Sequence, residues 1–186
     1  MLIVWDYFGV LAQDSFWYTA ARLAEGKGMS ARMHEMQRKA DLGEITWDDY
    51  CAEISHDIGV SLDVVKERYR HHDIKESVVK AIHAQQGTYR QVLLSNASHG
   101  YLLPIMRDLG LDTLFDEIFV SSQLGFAKPD PRAFNNVLQS MNTKPEDSIM
   151  IDDSVQNIAG AASLGMKTIH FQPGIDIGVE LQKLLR

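Results

Sequence analysis

At 186 residues, with 45% hydrophobic and 23% charged positions, the chain has the size of one compact domain with room for a small insertion, and the composition of a folded protein. Its 25 acidic and 18 basic residues leave a net charge of −7, which argues against broad binding to nucleic acid or anionic membranes. No apolar run approaches the ~20 residues of a membrane span.

The first apolar run, Leu2–Asp6, reads as a buried strand; it is too short, and has no basic residue before it, for a secretion signal. From about Gln13 to Gln86 nothing looks like a buried strand. Helices are expected instead at Phe16–Glu25, Ser30–Lys39, Trp47–Ile58, Leu62–His71 and Glu76–Ala84. Thr46 before Trp47-Asp48-Asp49, and Ser61 before Leu62-Asp63, supply start signals. A helical insertion of this length is long for a crossover. Its first half is read as a cap folded over the carboxyl ends of the strands, with Trp17, Tyr18, Met29, Met33, Met36 and Trp47 as its small core. The basic cluster Lys66, Arg68, Arg70, His71, His72 and Lys75, interrupted by Glu67, Asp73 and Glu76, is expected to be a solvated face.

After the insertion the texture changes. Strands are expected at Gln91–Asn96, Glu117–Ser121, Ser148–Asp153 and Lys167–Phe171, with helices near Tyr101–Asp108, Pro131–Ser140 and Gln156–Leu164 between them. Short, nearly continuous apolar runs alternating with helices predict a doubly wound, mostly parallel five-stranded α/β sheet. Residues 1–12 and 87–186 then form the core, and 13–86 the cap insertion with its return helix. The only cysteine, Cys51, allows no internal disulfide and suits a reducing cytoplasm.

In such a sheet ligands collect at the carboxyl ends of the strands. There the sequence places Asp6, Ser95-Asn96, the run Gly125–Pro131 containing Lys128, and Asp152-Asp153-Ser154 with Asn157 one turn on. Each piece has a structural reading of its own, since a strand-end Asp or Ser also caps helices and turns. Adjacent carboxylates are harder to dismiss, because they repel unless a cation or donors offset them. Hard oxygen ligands of this kind suit Mg²⁺.

Trp5-Asp6-Tyr7-Phe8-Gly9-Val10-Leu11, Leu94-Ser95-Asn96, Lys128-Pro129-Asp130-Pro131 and Ile151-Asp152-Asp153-Ser154 resemble, in order, the four motifs of the haloacid dehalogenase (HAD) superfamily. The segment Leu42–Tyr50 is similar to caps of its small sugar-phosphate phosphatases. The resemblance implies a Rossmann-like core and a nucleophile, Asp6, that forms an aspartyl-phosphate. It implies Mg²⁺ held by Asp6, the Phe8 carbonyl and Asp153, with Asp152 as an added or outer ligand. Ser95 and Asn96 would contact and orient the phosphoryl group, Lys128 would stabilise it, and the loop containing Gly9 would complete an anion cradle. The implied partner is a small phosphorylated metabolite.

One position departs from the pattern. Phosphatases of this family usually carry a second aspartate two residues after the nucleophile, where this chain has Phe8. Phe8 can neither give nor take a proton, and that help is worth ~10²–10⁴-fold. Slow turnover of unactivated esters is therefore expected. The 2-haloacid dehalogenases, metal-independent relatives with an aromatic residue at this point, give an alternative reading, as does a catalytically silent binder. The Asp152-Asp153 pair favours the metal-dependent phosphatase.

Overall fold

A computed structural model describes residues 1–13 and 31–185. Five parallel strands, β1 (Leu2–Trp5), β2 (Arg90–Ser95), β3 (Glu117–Val120), β4 (Ser148–Asp152) and β5 (Lys167–His170), are ordered β3-β2-β1-β4-β5. The sequence therefore runs outward in one direction through β2 and β3 and in the other through β4 and β5. This change of direction leaves a crevice beyond the carboxyl ends of β1 and β4.

Period-2 alternation along β1 divides the sheet's two apolar faces. Ile3 and Trp5 join one cluster, with Leu93, Ile149, Ile151, Val78 and Ile82. Leu2 and Val4 join the other, with Val92, Leu94, Met150, Phe134 and Val137. All four β1 side chains are completely buried, which is why the strand reads as uninterrupted hydrophobicity. The indole N–H of Trp5 donates to Gln91 Oε1 (3.1 Å), and Gln91 Nε2 donates to the Ile82 carbonyl (2.9 Å), so both buried polar groups are paired.

The insertion contributes α1 (Ala31–Asp41), α2 (Trp47–Ile58) and α3 (Leu62–Tyr69), followed by α4 (Glu76–Gln85), which packs on the sheet. Met33, Ala40, Tyr50, Cys51, Ile54, Val65 and Tyr69 form a third cluster. It is closed from the core side by Tyr101 and Ile105 of α5 (His99–Asp108). Met36 and Trp47 pack at its edge, as expected. The expected helix Phe16–Glu25, and Trp17, Tyr18 and Met29, lie outside the described residues. At the start of α2, Thr46 Oγ1 accepts the Asp49 N–H while Asp49 Oδ2 accepts the Thr46 N–H, a complete capping box. Ser61 precedes α3 without a side-chain cap bond.

The remaining helices are α6 (Ser121–Leu124), α7 (Pro131–Ser140), α8 (Val155–Ser163) and α9 (Ile177–Leu184). The basic cluster is not one solvated face. His72 is buried, and burial lowers its pKa to about 4, so it is neutral between Tyr7 Oη (3.0 Å) and Tyr101 Oη (3.0 Å). Lys75 bonds the Gly9 carbonyl and lies over the Phe171 ring (4.8 Å). The solvated-face reading fails at these two positions because they lie past the end of α3, where the chain pairs with residues 11–13 that follow β1. Among the described residues no helix is long and apolar enough to cross a membrane.

Candidate active site

Asp6 follows β1, and Asp152 ends β4, its neighbour in the sheet. One carboxylate oxygen from each of Asp6, Asp152 and Asp153 can be chosen so that all three lie within 4.8 Å of one another. The fully buried ammonium of Lys128, from the loop before α7, lies 2.7 Å from Asp6 Oδ1 and 2.7 Å from Asp152 Oδ2. Burial opposes its charge, but the two carboxylates outweigh that and hold the Lys128 pKa up. Burial raises the pKa of Asp6 well above the usual carboxylate value, with the charge of Asp152 adding and Lys128 opposing. Asp153 is raised by burial and by Asp152.

The three carboxylates are not equivalent. Asp152 Oδ1 accepts from Ser154 N (2.8 Å) and Asn157 Nδ2 (3.0 Å), and its Oδ2 accepts from Lys128 and Asn157 (3.1 Å). Protein donors thus occupy both its oxygens, which makes Asp152 the group that seats Lys128. Asp6 Oδ1 takes the Tyr7 N–H (2.7 Å) as well as Lys128, while Oδ2 accepts no hydrogen bond from the described residues. Asp153 is exposed towards the crevice, its backbone carbonyl fixed by His170 Nε2 (2.9 Å).

Gly9 permits this approach. Its φ is +80°, and a Cβ there would fall 2.0 Å from Asp153 Oδ2. Asn96 holds the Lys128 loop: its Nδ2 donates to the Lys128 carbonyl (2.7 Å) and its Oδ1 accepts the Lys128 N–H (2.8 Å). Ser95, completely buried at the end of β2, has no hydrogen-bond partner for Oγ among the described residues. Such an atom is costly unless something else meets it. Three carboxylates against one ammonium, all hard oxygen donors beside an unpaired hydroxyl, fit a divalent cation and an oxyanion by charge and donor type.

A pocket of about 300 Å³ opens over this floor, lined among others by Asp6, Phe8, Lys128 and Asp153. Its far wall comes from the insertion, through Gln37 and Asp41 of α1. Gln37 Nε2 donates to Asp41 Oδ1 (2.7 Å), while Gln37 Oε1 is buried with no partner among the described residues. Burial raises the Asp41 pKa to about 7. The sequence reading passed over both residues. One signal was available: Asp41 ends a helix, where a carboxylate meets the negative end of the dipole.

The fold and the carboxylate cluster suit an enzyme that takes a divalent cation and an oxyanion, and the hydrolase class comes from comparison with known proteins. The sequence pattern of haloacid dehalogenase-like hydrolases matches residues 1–165, and the chain belongs to that family. A glyceraldehyde 3-phosphate phosphatase of Pyrococcus furiosus is 35% identical over 98 residues, covering 46% of this chain and 41% of that protein. Less than half the length of that relative is therefore matched. Among solved structures, a predicted HAD-like family hydrolase from Porphyromonas gingivalis shares 24% identity at a TM-score of 0.79, covering 100% of this chain and 97% of that one. A HAD family enzyme of Bacteroides thetaiotaomicron, in complex with magnesium and inorganic phosphate, shares 21% identity at a TM-score of 0.78, covering 96% and 98%. At these identities the two structures establish the fold.

Proposed function

We propose that the chain is a Mg²⁺-dependent phosphatase of small phosphorylated metabolites that works through an aspartyl-phosphate on Asp6. The observation that carries this reading is the convergence of Asp6, Asp152, Asp153 and Lys128 at the carboxyl ends of adjacent strands. Phosphatase relatives and a family structure holding magnesium and phosphate support it. Asp6 attacks phosphorus, the bond to the alcohol oxygen breaks, and water then cleaves the acyl phosphate to return the carboxylate and inorganic phosphate. Ser95 Oγ donates to a phosphoryl oxygen, the role its missing partner leaves open. Lys128 stays charged and stabilises the transferring group, positioned by Asp152 and, through the backbone, by Asn96. Asp6, Asp153 and the Phe8 carbonyl would hold Mg²⁺, which when bound would offset repulsion between an anionic nucleophile and an anionic ester. The single, buried Cys51 supports a reducing cytoplasmic setting.

The test is phosphate release from a panel of phosphate esters, with Mg²⁺ and with chelator, alongside halide release from 2-chloropropionate. Mg²⁺-dependent phosphate release is expected. Metal-independent halide release would replace the reading with a dehalogenase, and a folded, metal-loaded sample inert to every substrate would replace it with a silent binder.

A further inference from the structure

The family's usual proton carrier is absent at position 8, and hydrolysis of an unactivated ester still requires a proton for the leaving oxygen. The pocket over Asp6 narrows the search. Among its described lining residues, Asp153 belongs to the carboxylate cluster and Lys128 is held between two carboxylates. The Tyr101 hydroxyl bonds His72 and the Tyr69 carbonyl, and the Ser154 hydroxyl bonds Gln156. Asp41 remains. We propose that Asp41, carried by the insertion, is the proton donor to the leaving alcohol and the base for the hydrolytic water, in the place that Phe8 leaves empty. The inference rests on the phosphatase reading and adds a residue to it.

Three features make Asp41 suited to this work. Its carboxyl is aimed by one bond, from Gln37 Nε2 to Oδ1, and Oδ2 accepts nothing from the described residues, so that oxygen is available to carry the proton. Its backbone is fixed to the core, because Ser121 Oγ donates to the Asp41 carbonyl (2.5 Å) and itself accepts the Ala97 N–H (3.0 Å). Just beyond, Gly43 (φ +74°) passes so close to the Ser122 carbonyl that a Cβ would lie 2.3 Å from it. The end of α1 therefore seats on the start of α6, directly after β3 and beside the crevice. The ionisable groups sharing its two adjoining pockets among the described residues are Asp6, Lys128 and Asp153 on the floor, Asp130 and Arg132 beside the Lys128 loop, Tyr101 of α5, and His34 and Arg38 on its own helix, with Tyr50 of α2 also within electrostatic reach. Arg38 is engaged by Glu35 and Glu44, and Arg132 by Asp130, so their charges are partly spent elsewhere. Burial at the carboxylate-unfriendly end of a helix raises the Asp41 pKa to about 7, which leaves a proton to give near neutrality.

The steps balance. As the phosphorus–alcohol bond breaks, protonated Asp41 gives its proton to the departing oxygen and becomes a carboxylate. As water attacks the acyl phosphate, that carboxylate takes the water's proton and the Asp6 carboxylate departs, restoring both groups.

The experiment is kcat/KM, with Mg²⁺, for phosphate esters ranging from p-nitrophenyl to simple alkyl, in wild type and Asp41→Asn. This parameter stops at the first irreversible cleavage and isolates the donor step. Asp41→Asn is expected to lose ~10²–10³-fold on alkyl esters and less than about threefold on p-nitrophenyl phosphate, whose leaving group needs no proton. Equal losses across the series would overturn the proposal. A second measurement needs no variant: the wild-type ratio of alkyl to p-nitrophenyl kcat/KM should fall about tenfold per pH unit above about pH 7, as Asp41 loses its proton. A ratio flat from pH 6.5 to 8.5 would overturn it even if Asp41→Asn failed to fold. Wild type that releases no phosphate from any ester would instead remove the phosphatase reading itself, and this inference with it.

Discussion

The floor and the far wall of the pocket are built on opposite plans. On the floor the groups that support the reacting atoms are committed, Asp152 being filled by Lys128, Asn157 and Ser154 and Asn96 tying down the backbone of Lys128, while Asp6 Oδ2 and Ser95 Oγ stay open among the described residues. On the wall a single hydrogen bond joins Gln37 to Asp41, and Gln37 Oε1 is buried with no partner among the described residues. A filled supporting network holds Lys128 and the open Asp6 and Ser95 oxygens still, which suits a phosphoryl group that is the same in every substrate. Unsaturated acceptors suit the variable part, the leaving alcohol and its proton.

The sharpest break between the two is Asp6→Asn, expected to lower kcat by about 10⁴-fold or more on every ester, good or poor leaving group alike. Near-wild-type phosphate release from the purified, folded variant would rule out covalent catalysis. Next is Lys128→Met, which strands Asp6 and Asp152 without their cation. It is expected to cost about 3–5 kcal/mol in a denaturant titration under chelator. A smaller cost would mean that the floor is less tightly coupled than its two 2.7 Å contacts indicate. Gly9→Ala is aimed at Asp153 and is expected to weaken Mg²⁺ binding about 10–100-fold by calorimetry. An unchanged affinity would remove Asp153 from the ligand set.

The wall yields the smallest effect. The folded-state pKa of Asp41, about 7, lies above its unfolded value near 3.8, so its contribution to stability is fully present below about pH 4 and is lost as pH rises through 7. Wild type should therefore lose stability relative to Asp41→Asn between pH 4 and 8, by on the order of 2 kcal/mol after allowing for partial exposure. A pH-independent gap between the two melting temperatures would show an ordinary carboxylate. Phe8→Asp completes the set: in the Asp41→Asn background it should return part of the lost alkyl-ester activity. No recovery would indicate that position 8 cannot reach the leaving oxygen.

Much of the floor was legible because it follows a local rule. Short apolar runs ending in polar residues mark buried parallel strands, and β1 through β5 fall within a residue or so of those runs. Asp6, Ser95 and Asp152 follow from that alone. The wall depends on what a fold brings together. Asp41 is one acidic residue among 25, and the docking of α1 against Ser121 is what brings it to the pocket that Asp6 also lines. His72 was read as solvated for the same reason, since its partners Tyr7 and Tyr101 lie 65 and 29 positions away. The helices α6 and α9 were also missed, α6 because four residues carry no periodicity.

The tight passage of Gly43 over the Ser122 carbonyl has a consequence for exchanging insertions between family members. A transplanted cap that brings any side chain to this crossing would be lifted off its seat, and the carboxyl two residues earlier would be lifted with it. Chimaeras should therefore be spliced outside this latch, keeping the glycine and its serine neighbour as a matched pair, however freely the rest of the cap is redesigned.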